Sequence, residues 1–245
     1  MRLRLALVIT ALAAFAVPAA AQKVKKPTPA CGIKYLPLTE GNWWTYEPVN
    51  QPPTGAPAAQ LKVEVLKVET EGKTTTITMK ETYREVEFEV VATCSKAGLL
   101  LPPESFFFAG EPGGVSNMTI ENFTRKGTSF PITFKAGDQW FEEFKFDVVR
   151  APSEGVKVEH EPAKVELERL TTVIQGQQMV DTAIQSYRTT PIEFEIRGRG
   201  LVGEKSSEIA VRNKGTLWFS PLIGLARARE VSSREWQLID SNLAP

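Results

Sequence analysis

The sequence predicts an all-β fold, an antiparallel meander curved into a sandwich or half-open barrel. Period-two alternation recurs along the chain, most clearly where Val86, Phe88 and Val90 alternate with Glu85, Glu87 and Glu89. That is the pattern of a strand with one dry face. Pro- and Gly-rich stretches at 48–60, 102–117 and 150–163 punctuate it as loops. No helical stripe recurs between the strands, as a parallel sheet would require.

Residues 1–21 read as a signal peptide. Arg2 and Arg4 make a positive start, Leu5–Val17 an apolar stretch, and Ala19-Ala20-Ala21 a small-residue cleavage site before Gln22. The working chain is therefore expected outside the cytoplasm of a bacterial cell, in the periplasm or secreted. No later segment is apolar for long enough to span a membrane once the signal is cleaved. The whole chain carries 29 basic and 29 acidic residues. Losing two arginines leaves it slightly acidic, which argues against nucleic acid as a partner.

Residues 22–34 form a charged, Pro-containing lead-in expected to be disordered. A single β-rich domain over 35–245 follows, with 35–101 and 130–240 as possible tandem halves. Gly41-Asn42 is a turn before an aromatic strand from Trp43. Leu61, Val63 and Val65 make the next strand, whose phase slips at Leu66 as at a bulge. Strands over 73–80 and 86–90 lead to Cys94. Beyond the second loop, Phe144, Phe146 and Val148 alternate with Glu143, Lys145 and Asp147. Val165 and Leu167 open a strand that runs toward Ile174, and Gln175-Gly176-Gln177 is a plausible hairpin tip. Residues 179–188 fit either a helical stripe or a strand, and their setting favours strand. Strands at 192–196, 207–212, 216–219, 225–231 and 234–239 complete the chain.

A weak internal repeat supports the two halves. Pro37-Leu38 followed by Gly41-Asn42-Trp43-Trp44 recurs as Pro131-Ile132 followed by Gly137-Asp138-Gln139-Trp140. Both copies keep Gly-x-x-Trp.

Cys31 and Cys94 are the only cysteines. In an oxidising compartment the simplest reading is one disulfide, contributing about 4 kcal/mol through loop closure. Thr28-Pro29-Ala30 before Cys31 is a poor lipidation signal. No metal site and no cofactor are expected, since no spaced set of ligands occurs.

Catalytic motifs are also missing. Gly198-Arg199-Gly200-Leu201-Val202-Gly203 matches a dinucleotide fingerprint in letters, but strand chemistry follows it instead of a helix. We read it as a hairpin turn. His160, the one histidine, sits between Glu159 and Glu161 in a loop. Ser220 is followed by Pro221, which is wrong for a nucleophile elbow. The glutamates mostly alternate on strands, where a solvated sheet face puts its charges. The chain is therefore not expected to be an enzyme.

The best ligand-binding candidates are aromatic: Trp43, Trp44, Tyr46, Phe106, Phe107, Phe108, Trp140 and Trp218. Trp43 and Trp44 must face opposite sides of a strand. Phe106-Phe107-Phe108 cannot all be buried by one strand face, so they either cap the core or present a contact surface.

Two phrases carry a resemblance. Tyr35-Leu36-Pro37-Leu38 with Gly41-Asn42-Trp43-Trp44-Thr45-Tyr46, and Trp218-Phe219-Ser220-Pro221 with Gly224-Leu225-Ala226, resemble the opening and closing phrases of a family of exported bacterial proteins. The opening phrase of that family reads Y-F-P-L…G-x-x-W-x-Y and the closing one W-Y-x-P-x-x-G-L-V. It comprises domains of unknown function, many of them lipoproteins, and implies an all-β fold. It supplies no site residues. A third phrase of the family, V-P-A-G-x-F, is reduced here to Thr189-Thr190-Pro191-Ile192-Glu193-Phe194. The expectation is a non-catalytic cell-envelope protein binding an apolar small molecule or a partner protein. The alternatives are a carbohydrate-binding or carbohydrate-acting protein, and a purely structural module.

Overall fold

The computed structural model describes residues 31, 33–49, 59–110, 112, 118–150, 163–202, 207–221, 223–230 and 234–243. The signal segment 1–21, His160 and Gly203 lie outside them. Five strands come first: β1 (Trp43–Pro48), β2 (Leu61–Glu71), β3 (Thr74–Tyr83), β4 (Val86–Ser95) and β5 (Gly98–Leu100). A single turn of helix, α1 (Phe106–Ala109), follows. The remaining strands are β6 (Met118–Gly127), β7 (Gln139–Arg150), β8 (Ala163–Val173), β9 (Gln178–Asp181), β10 (Ser186–Val202), β11 (Ser207–Ser220), β12 (Gly224–Glu230) and β13 (Glu235–Ser241).

All of them join one antiparallel 13-stranded sheet, in the order β5-β4-β3-β2-β1-β13-β12-β11-β10-β8-β7-β6, with β9 paired to β10. The chain starts in the middle at β1 and walks outward to β5. It then crosses through α1 to the far edge at β6 and walks back to β13, beside β1. The first and last strands thus pair at the centre of the sheet. The sheet is not closed into a barrel, but its edges are tied. Leu99 N–H donates to the Phe130 carbonyl at 2.8 Å, and Phe130 N–H returns to Leu99 at 3.1 Å.

Alternation decides the faces. Trp44 and Tyr46, Val63 and Val65, Ile77 and Met79, Ile192 and Phe194, Trp236 and Leu238 all point inward and are buried. The bulge at Leu66 is real: the β2–β3 register shifts between Val65 and Lys67, turning Leu66 out to solvent. Cys31 and Cys94 form the disulfide, and Ile33 is already core.

The internal repeat is structural. Gly41 N–H donates to the Val65 carbonyl (2.9 Å), and Val65 N–H to Asn42 (2.8 Å). In the second copy Gly137 N–H donates to Val173 (2.8 Å), and Val173 N–H to Asp138 (2.9 Å). Both glycines have positive φ, 84° and 88°, a backbone that glycine adopts without strain. Each turn thus locks a strand to its successor in the same register. The arms before the two turns also meet, with Tyr35 stacked on Phe134 at 4.8 Å.

Two local expectations need correction. Gln175-Gly176-Gln177 is not a hairpin tip, because β8 and β9 run the same way along β10. The tip is Thr182–Gln185, where Thr182 Oγ1 accepts from the Ile184 and Gln185 amides at 3.2 and 3.3 Å. The ambiguous stretch 179–188 is therefore strand, turn and strand. Gly198 and Gly200 are not in a turn either. They lie inside β10, paired with Leu167 and Val165 on one side and Val211 and Ile209 on the other. A 17-residue strand has to coil within a curved sheet, and glycine permits the close approach of a neighbouring backbone.

Candidate functional site

α1 occupies the inside of the curved sheet. Phe106, Phe107 and Phe108 are all buried, which a strand could not achieve but a helical turn can, because it points successive side chains in different directions. Phe107 meets Trp44 edge-on at 5.3 Å, Phe106 lies 4.7 Å from Tyr46, and Phe108 packs on Phe144 at 5.5 Å. Gly110 ends the turn with φ 74° and donates to the Phe106 carbonyl. A Cβ there would fall 2.7 Å from that of Ala228.

Two sets of buried charges hold this turn. Glu81 sits on β3 in the inward series Ile77, Met79, Glu81, Tyr83 and has no solvent exposure. Its Oε1 accepts from the Phe106 amide at 2.9 Å and from Ser105 Oγ at 3.2 Å. Its Oε2 has no partner. Burial pushes the carboxyl up to about 8, outweighing these two hydrogen bonds, and the charge of Glu104 adds to the rise. Glu81 is therefore largely neutral at pH 7. The Tyr46 hydroxyl, raised by burial and then by Glu81, donates to the Leu225 carbonyl at 2.9 Å.

Opposite lies Arg169 on β8, also without exposure. Its Nη2 donates to the Phe108 carbonyl at 2.8 Å, and its Nη1 to Glu142 Oε2 on β7 at 3.1 Å. The guanidinium lies 4.2 Å from the Phe108 ring centroid, a cation–π arrangement. Ser129 Oγ donates to Glu142 Oε1 at 2.9 Å, and the guanidinium of Arg125 stands 3.6 Å from the same oxygen. Burial lowers the pKa of Arg169, while Glu142 opposes the shift. Among the described residues, the charged side chains with no exposure at all are Glu81, Glu142 and Arg169.

Of the aromatic candidates, Trp44, Tyr46, Phe106, Phe107 and Phe108 are core. Trp43 is half-buried on the outer face, under the Lys62 ammonium at 5.5 Å. Trp140 is half-buried against Phe130 and Phe134, its Nε1 donating to Ser129. Trp218 is nearly covered, donating to Gln178 Oε1 at 2.8 Å, with Arg229 5.1 Å from its ring. The structure gathers five of the eight around one interior, packs Trp140 against its margin, and leaves Trp43 and Trp218 outside it.

Open clefts lie on the outer face. One of about 290 Å³ lies between Leu170, Glu193, Glu195, Lys214 and Arg229. Another, about 490 Å³, lies between Glu143, Lys145, Glu166, Glu168, Arg197 and Arg199. Glu195 is held at about 2, chiefly by its hydrogen bond to Arg197. Beside these clefts Phe141 and Leu170, paired across β7 and β8, are exposed at 62% and 45%.

The buried charges were not singled out by sequence reasoning, yet phase could have shown them. Glu142 shares its parity with Phe144 and Phe146, and Glu81 shares its with Ile77 and Met79. A charge in phase with a dry face is the signal.

No protein-family model matches this chain, and no curated protein matches it. Solved structures do. A candidate lipoprotein from Parabacteroides distasonis is 16% identical over 85% of this chain and 98% of its own, with a TM-score of 0.52. A candidate exported protein with a YmcC-like fold from Bacteroides fragilis is 12% identical over the same shares, with a TM-score of 0.50. The fold is shared with these two proteins. Among the described residues no helix is long and apolar enough to cross a membrane.

Proposed function

We propose that this chain is a non-catalytic exported cell-envelope protein that works by contact with a partner protein. The observation that carries the reading is the filled interior. Three phenylalanines of α1 take the space in which an apolar small molecule would sit. The signal-like start, the disulfide and the names of the two structural neighbours support export. The buried carboxylates are engaged in holding α1 rather than aimed into a cleft, which supports a non-catalytic role. The exposed Phe141–Leu170 pair beside charged clefts gives a partner apolar and polar contacts together.

Native mass spectrometry of protein from its own envelope fraction, with organic extraction, tests this. The expected spectrum holds the bare chain and a complex with a second polypeptide, lost when Phe141 and Leu170 become Ser. A co-extracted lipid or other apolar molecule would overturn the reading in favour of small-molecule binding.

A further inference from the structure

The two edges of the sheet end differently. β6 breaks its register with β7 between Glu121 and Thr124, and a bulge of that kind discourages a further strand. β4 has no such device. It pairs with β3 in unbroken register from Thr75–Cys94 to Tyr83–Val86. On its other side β5 covers only Thr93, Cys94 and Ser95. Among the described residues, Val86–Ala92 therefore has no strand beside it, and alternate backbone N–H and C=O groups of this regular edge point away from β3. Its side chains sort by face. Val86, Phe88 and Val90 face inward, but Val86 is 49% exposed and Phe88 only half-buried, because the apolar ledge ends with the sheet. Glu87 and Glu89 stand exposed on the outer face, with Glu85 exposed at the turn before them. Lys80 on β3 reaches Glu87 at 3.2 Å and Glu64 at 3.5 Å. Among the described residues, Glu85 and Glu89 have no basic partner.

We propose that the β4 edge, Val86–Ala92, takes an extended segment of a partner protein, alternately apolar and basic, as an added strand. Backbone pairing along the edge supplies affinity, and alternate side chains supply specificity. The apolar residues of the segment extend the ledge of Val86, Phe88 and Val90, and its basic residues meet Glu85, Glu87 and Glu89. The same acids disfavour a second copy of this chain. Two β4 edges paired antiparallel in one continuous sheet set their glutamate rows side by side, and like charges opposite each other destabilise the pairing. This contact is distinct from the Phe141–Leu170 pair, which lies on β7 and β8.

Fluorescence anisotropy on the full chain tests this, with a fluorescein-labelled peptide of alternating lysine and valine as the probe. A peptide of the same composition with its lysines in one block should bind at least ~10-fold more weakly, and so should one N-methylated at adjacent central residues. Glu87→Lys with Glu89→Lys, both at exposed positions, should weaken binding at least ~10-fold and leave the thermal melt little changed. In hydrogen exchange, the amides of Val86–Ala92 that point away from β3 should exchange fast in the free chain and at least ~10-fold more slowly with peptide bound. Equal binding of the three peptides would reduce the contact to charge alone and overturn the proposal. No binding at about 1 mM peptide would overturn it too. So would edge amides already slow in the free chain, since another segment or a second copy would then cover the edge. Phe141→Ser with Leu170→Ser should bind the peptide as the parent does, and weaker binding would place the peptide on the wrong face. A failed edge would thus leave the Phe141–Leu170 contact standing, and a failed Phe141–Leu170 contact would leave the edge.

Discussion

Trp44 donates through Nε1 to the Ile223 carbonyl at 2.6 Å, which joins the opening phrase of the chain to its closing phrase. Tyr46 does the same to Leu225, and Gly224 faces Pro37 Cδ and Trp44 Nε1 at 3.2 and 3.5 Å from where a Cβ would stand. The two phrases that carry the family resemblance are thus one joint, sited where the first strand, β1, meets β13 and β12.

Trp44→Ala removes a fully buried ring and this hydrogen bond, so it should cost about 3–5 kcal/mol in urea unfolding. Trp44→Phe keeps part of the packing but strands the Ile223 carbonyl, and about 1–3 kcal/mol is expected. Trp43→Ala, on the half-exposed outer side, should cost under about 1 kcal/mol. Equal losses at 43 and 44 would contradict the assignment of faces.

Glu81 makes stability fall as pH rises. Its folded pKa of about 8 lies above the ordinary carboxylate value of 4.5, so the folded state binds the proton more tightly than the unfolded one. The stability this gives is complete below about pH 4.5 and is lost as pH climbs through about 8. The groups facing Glu81 are the Tyr46 hydroxyl, Ser105 and Glu104. Glu81→Gln should flatten the profile, becoming the more stable protein by a few kcal/mol at pH 8.5. Thermal melts at pH 5 and pH 8.5 decide it, and parallel profiles for the two proteins would contradict the assignment.

Arg169 and Glu142 should respond asymmetrically. Arg169→Met leaves Glu142 buried beside Ser129 without its main counter-charge, and about 3–5 kcal/mol should be lost. Pairing it with Glu142→Leu removes the stranded charge, so the double variant should recover most of that loss. A double-mutant cycle in urea gives the coupling directly, and additive losses would show that the pair is not coupled.

Much of this was legible in the chain, and the illegible parts have physical reasons. Alternation showed the strands, the slip at Leu66 and the opposite faces of Trp43 and Trp44, because burial on a sheet has a fixed period. Gly-x-x-Trp showed the repeat, since both turns need a positive-φ glycine. α1 was hidden because four residues carry no period and Phe106-Phe107-Phe108 lies between Pro/Gly signals. The jump from β5 to the far edge at β6 was hidden as well, because nothing local distinguishes a hairpin neighbour from a strand across the sheet. Glu81, Glu142 and Arg169 were on view but not singled out, since phase was counted for apolar residues and not for charges.

Gly198 shows how a nucleotide-like motif can serve packing instead. A Cβ at this position would fall on the Glu166 carbonyl and 2.7 Å from Leu167 Cδ2, both on the neighbouring strand β8. Backbone cannot yield as a flexible side-chain tip can, so Gly198→Ala should cost about 2–3 kcal/mol. Gly176, with φ 84° and open space around it, gives the contrast. Only its backbone conformation resists substitution, and Gly176→Ala should cost about 1 kcal/mol. Urea unfolding of both variants measures the difference. A larger loss at 176 than at 198 would mean that β10 does not press on β8 at this glycine.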